Sequence, residues 1–139
     1  MRFICDAPDG KTWFGLETEA EAEAESDLMR HAVAKFYKRA RAEAIASYAP
    51  PPSAPPIERD IGLNAHIVRS MPRFVTLRDG DGGGLATAML PPAADGPFRA
   101  IIVGPDNDDP YEAHADAIAA LGRHVGLSLD PEACYPYRR

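Results

Sequence analysis

The chain has 139 residues, 45% of them hydrophobic and 26% charged, so one domain with an ordinary core is expected and wholesale disorder is not. A net charge of −6 speaks against direct nucleic-acid binding and against anionic membranes, since both select positive surfaces. Two cysteines, Cys5 and Cys134, are too few for a four-ligand structural zinc site and imply no disulfide framework.

Residues 1–16 lack a charged start followed by an apolar run, so no secretory signal is read there. No apolar segment approaches the roughly 20 residues that span a bilayer. A reducing cytoplasm is the expected compartment. Arg outnumbers Lys by 12 to 3 and Ala is frequent, which fits a GC-rich bacterial genome.

In chain order, Arg2 to Asp6 and Lys11 to Leu16 are short β-prone segments around Ala7-Pro8-Asp9-Gly10, a strong turn signal. An N-terminal hairpin is expected, with Trp13 in the core or against a helix. The most informative stretch follows, from Thr18 to Tyr48, which reads as one long amphipathic helix with its charges sorted end to end. Glu17, Glu19, Glu21, Glu23, Glu25 and Asp27 come first, and Arg30, Lys35, Lys38, Arg39 and Arg41 follow with only Glu43 among them. That order suits the helix dipole. Thr18-x-x-Glu21 fits a capping box. Met29, Val33, Phe36, Tyr37, Ala40, Ala44 and Tyr48 make the apolar stripe. Such a helix would be about 45 Å long, so one end is expected to project or to meet a partner.

Residues 49–56 hold five prolines, which end the helix and form a stiff crossover. Alternation from Ile61 to Ser70 reads as a half-buried strand. Arg73 to Arg78 and Leu85 to Leu90 flank a Gly/Asp loop as a hairpin, and Phe98 to Val103 reads as a central strand. These make a four-stranded antiparallel meander. Asp109-Pro110 opens a C-terminal helix, with His114, Ile118, Leu121 and Val125 inward and Gly126 as its stop. The fold class is α+β, with one domain over residues 1–139.

No motif fixes a reaction. The Asp79–Gly84 loop is no phosphate-binding signature, having neither G-x-G-x-x-G between strand and helix nor a closing Lys-Ser/Thr. Asp106-Asn107-Asp108-Asp109 offers hard-cation ligands but lacks the spacing of a calcium loop, so capping explains it better. His114 and His124 are ten residues apart on one helix and cannot share a metal. His31 reads as the surface partner of Asp27. Cys134 has no local signature of a nucleophile. No cofactor is called for, and the residues carry no resemblance to a known family.

The leading expectation is a non-enzymatic protein–protein interaction module acting through the charge-sorted helix. Glu19, Glu23, Asp27, Arg30, Lys38 and Arg41 would meet a second copy or another protein. Like charges at i,i+4 repel, so the middle acids call for cations, and antiparallel pairing of two copies would supply them. An adaptor or inhibitor presenting its acidic stripe to a basic target is the heteromeric version. The rival expectation is a small enzyme or a ligand- or metal-binding protein with a pocket between sheet and C-terminal helix. His66, Asp106, Asp109 and His114 would line it.

Overall fold

A computed structural model describes residues 1–92 and 99–134. The elements are β1 (Arg2–Ala7), β2 (Lys11–Gly15), α1 (Glu19–Met29), α2 (Val33–Ala46), α3 (Pro56–Ser70), β3 (Arg73–Arg78), β4 (Gly84–Leu90), β5 (Ile101–Val103) and α4 (Tyr111–Val125). Short 3-10 turns occupy Pro105–Asn107 and Pro131–Ala133. The class is α+β, and the sheet has five antiparallel strands in the order β1-β2-β3-β4-β5. The N-terminal hairpin is therefore part of the meander, joined to it by β2 pairing with β3.

Strand alternation sorts the sheet's two faces. Val75, Leu77, Ala86, Ala88, Leu90 and Ile102 point one way and pack with Tyr111, Ala117, Ile118 and Leu121 of α4. Trp13 is fully buried on this side, and its Nε1 donates to the Ala117 carbonyl at 2.8 Å. Phe74 and Met89 point the other way, into a second cluster with Ala22 of α1 and Val33, Tyr37 and Ala44 of α2. The sheet thus lies between α4 and the α1–α2 pair.

The helix expected from Thr18 to Tyr48 is two helices. Thr18 caps α1 as anticipated, accepting from the Glu21 amide at 3.1 Å. The chain then turns at Arg30, which closes α1 in the left-handed region at φ 55°, and the His31 amide reaches back to the Ser26 carbonyl. Ser26 Oγ also accepts from the Ala34 amide at 2.8 Å, doing for α2 the work of a cap. On α2, Val33, Tyr37 and Ala44 are buried as the stripe requires. Phe36, on the same expected stripe, is 45% exposed.

Residues 61–70, read as a strand, are helical, because Pro56 stands at the first helical position, where its missing N–H costs nothing. The proline run thus ends one helix and starts the next. Arg59 braces it, donating to the Ala54 and Pro52 carbonyls at 2.9 and 3.0 Å. The period-two pattern arises because Leu63 and Ile67 lie on the helix side facing the domain while Ile57, Ile61 and Val68 lie opposite. Of the expected strand from Phe98 to Val103, Phe98 lies outside the described residues and β5 covers the last three. The tail from Tyr135 to Arg139 also lies outside them.

Candidate functional site

The charge-sorted segment folds back on itself. Because α1 and α2 form a hairpin, the antiparallel pairing expected between two copies occurs within one chain, and Lys38 meets Glu23. Arg30 is also engaged: its Nε and Nη2 each donate to Asp106 at 2.6 Å, a bidentate pair from the α1–α2 turn to the turn after β5. The pair holds the Asp106 carboxyl below its usual range and raises the Arg30 guanidinium. Glu19, Asp27 and Arg41 lie on the exposed surface of the hairpin.

Beneath this turn runs a buried polar chain. Glu25 follows Ala22 at i+3 and precedes Met29 at i+4, so all three face the sheet. Its carboxylate, with no solvent exposure, accepts from Arg78 Nη2 at 2.5 Å and from the Thr87 hydroxyl. Arg78 is fixed in turn by Nε donating to Thr76 Oγ1 at 3.1 Å. Thr76 and Thr87 are register partners across β3 and β4, which places both hydroxyls on the α1 side. His31 Nε2 lies 2.8 Å from Thr87 Oγ1. The Thr87 hydroxyl donates its hydrogen bond to Glu25, so His31 Nε2 is the donor and Nδ1 is left to accept from the Val33 amide at 3.4 Å. His31 is therefore no surface partner of Asp27. Burial lowers its pKa, favouring the neutral ring.

Beside His31 and Thr87 a cavity of about 180 Å³ opens, walled by Val33, Phe36, Phe74, Met89, Ile101 and Val103, with Ala32 and Asn107 also lining it. Three residues at this corner, Arg30, Asp106 and Asn107, have positive φ of 55°, 57° and 60°.

The other sequence candidates are scattered. His66 sits on α3, with Nε2 2.8 Å from Ser47 Oγ and its ring tilted 38° to that of Tyr48 at a centroid distance of 5.4 Å. His114 lies on the far side of the sheet, where Lys11 Nζ donates to its Nδ1 at 3.1 Å, and burial followed by that charge lowers its pKa. Asp109 accepts from the Tyr111 amide at 2.8 Å, a local contact two residues on that stands just ahead of Pro110, the residue flanking α4. His66, Asp106, Asp109 and His114 form no common pocket. Among the described residues, no group of three or more His, Cys, Asp or Glu side chains is placed to hold a metal. Cys5 and Cys134 are free, and burial pushes both thiols up.

A different surface stands out on α3. None of its 15 residues is buried, and Ile57, Ile61 and Val68 are 70%, 64% and 73% exposed. Its inner side rests on the domain through Ile67 and through Tyr48 packed over Gly62. A groove of about 510 Å³ continues from Val68 to the exposed Phe3 on β1, an outer strand of the sheet. Among the described residues no helix is long and apolar enough to cross a membrane.

Comparison of the chain with protein-family models, with curated proteins and with solved structures finds no match.

Proposed function

We propose that this protein is a non-enzymatic interaction module that self-associates through α3. The observation that carries the reading is the outward stripe of Ile57, Ile61 and Val68 on a helix with no buried residue. Contiguous exposed apolar surface on a small domain marks an interaction site. With Asn64, the three residues follow 4-3-4 spacing, the seam of a helix pair, and a single polar residue in such a seam sets register.

A second copy is the occupant that suits this stripe. A two-fold contact needs a self-complementary surface. Turned antiparallel about its middle, the helix sets Ile57 of one copy near Val68 of the other and brings both Asn64 side chains close to the axis. The same arrangement carries Glu58 and Asp60 toward Arg69 of the second copy, opposite charges at each end. Phe3 and the groove beside it extend the apolar area beyond the helix. In this reading the charge-sorted hairpin stabilises the domain, and Glu19, Asp27 and Arg41 contribute at its surface to the encounter.

Sedimentation equilibrium tests it. The wild-type chain is expected to dimerise, and Ile61→Glu with Val68→Glu to give a monomer with unchanged circular dichroism. A wild-type chain that stays monomeric across the micromolar range defeats the self-association reading. An adaptor role would then rest on capture of a separate partner that the same two substitutions abolish.

A further inference from the structure

We propose that the cavity under the α1–α2 turn binds a small neutral molecule carrying a hydroxyl group, of about the size of phenol. At about 180 Å³ the space is slightly larger than the ~150 Å³ apolar cavity known to admit benzene. Val33, Phe74, Met89, Ile101 and Val103 supply apolar walls on several sides, while His31 and Thr87 supply a polar end. Apolar walls with a few convergent polar groups are the usual composition of a small-molecule site.

Charge and hydrogen-bond capacity narrow the ligand. Among the described residues, Arg78 is committed to Glu25 and Arg30 to Asp106, so neither is free to meet an anion. The first amides of α2 cannot serve it either, since Val33 donates to His31 and Ala34 to Ser26. A cation would face apolar walls, with the Glu25 carboxylate behind Thr87 and already bound. The unused capacity at the polar end is acceptor capacity. Thr87 donates to Glu25 and accepts from His31, which leaves its oxygen one lone pair. A hydroxyl donor complements that end.

The backbone gives a second line of support. Among the described residues, four non-glycine positions have positive φ; Asn107 lines this cavity, and Arg30 and Asp106 each precede a lining residue, His31 and Asn107, in the chain. The fourth, Asp9, belongs to the β1–β2 turn, where such a conformation is ordinary. Backbone held in sparsely populated regions persists where its surroundings enforce it, and it concentrates at ligand clamps. The bidentate Arg30–Asp106 pair is that enforcement, tying the two sides of the corner together.

Methyl NMR on protein labelled at Ile, Val and Met, titrated with phenol, toluene, benzoate and benzylammonium, tests the assignment. Phenol is expected to shift the Val33, Met89, Ile101 and Val103 methyls saturably. Toluene, lacking the donor, should bind about tenfold more weakly, the equivalent of one net hydrogen bond. Benzoate and benzylammonium should leave these methyls in place at the same concentrations. Ala32→Trp at the exposed rim and Ile101→Phe in the wall should each weaken phenol about tenfold or more, with methyl dispersion reporting that the fold is kept. The proposal is overturned by an absence of saturable shifts with phenol, or by toluene or benzoate binding as tightly as phenol. Phenol shifts that survive in both variants overturn it equally.

Discussion

Arg78 donates from Nη2 to Glu25 at 2.5 Å, and that carboxylate is wholly shut off from solvent by α1 on one side and the sheet on the other. A buried charge in this position is tolerated only because both of its oxygens are bonded, one to Arg78 and one to Thr87. Removing one member leaves the other uncompensated in a poorly solvated place. Glu25→Ala is therefore expected to cost about 3–5 kcal/mol in urea unfolding. Replacing Glu25 by Leu and Arg78 by Met together should cost less than the single change, since no unpaired charge is left. A single-variant loss below about 1 kcal/mol would mean that water reaches the pair.

Acid sensitivity should appear first through two histidines. His31 and His114 both have pKa values lowered from 6.5 in the folded protein, chiefly by burial. The unfolded chain thus takes up protons first as pH falls, and stability drops from about pH 7 until the folded-state pKa values are passed. Asp106 and Glu21, whose pKa values are lowered, also lose their contribution on acidification, but from about pH 5 downward. The double variant His31→Gln/His114→Gln should therefore flatten the stability profile between about pH 7 and pH 5 and leave the more acidic limb unchanged. Denaturation midpoints measured across that range decide it, and an unchanged slope would place neutral-state burial elsewhere.

The facing of α2 makes a contrast between adjacent residues. Tyr37 is 6% exposed and its ring meets Phe74 at a centroid distance of 5.1 Å, whereas Phe36 is 45% exposed with Arg39 over its ring. Tyr37→Ala should cost about 3–5 kcal/mol, in the range of a deleted core aromatic. Phe36→Ala should cost about 1 kcal/mol or less, the worth of a partly exposed side chain and one exposed cation–π contact. Equal losses from thermal or urea melts would show that the helix is rotated.

These outcomes also mark which parts of the fold local chemistry announces. Thr18 as a cap, the Asp9-Gly10 turn, the β3–β4 hairpin and the Gly126 stop all depend on neighbours a few residues away, and they read directly. The break at Arg30 does not. No Gly, Asn or Pro signals it, and the left-handed Arg30 is held by Asp106, 76 residues later. Missing that break hides the site, because only the hairpin turns Glu25 toward Thr87 and brings His31 over the sheet. Arg30 and Asp106 are each visible as charged candidates, assigned to different surfaces. Glu25 is one of five glutamates at alternate positions, and nothing local distinguishes the buried one. The strand-like pattern of α3 has another cause: two opposed apolar faces on a helix mimic strand alternation when one of them, here Ile57, Ile61 and Val68, is left exposed among the described residues.

That exposed face yields the last prediction. With no buried residue, α3 should open locally at less cost than α4, whose Ala117, Ile118 and Leu121 are buried in the core. In dilute protein, native-state hydrogen exchange at Ile61 to Val68 should be faster than at Ile118 to Gly122. A second copy that binds only the folded helix protects it by mass action. Raising the protein from well below to about 100 times the dimer dissociation constant should slow α3 exchange by up to roughly 100-fold, equivalent to about 2.7 kcal/mol. Ile61→Glu should abolish this concentration dependence while leaving the dilute-limit rates near those of wild type. Rates at α3 that ignore concentration in the wild-type chain would mean that the stripe has no partner in a second copy.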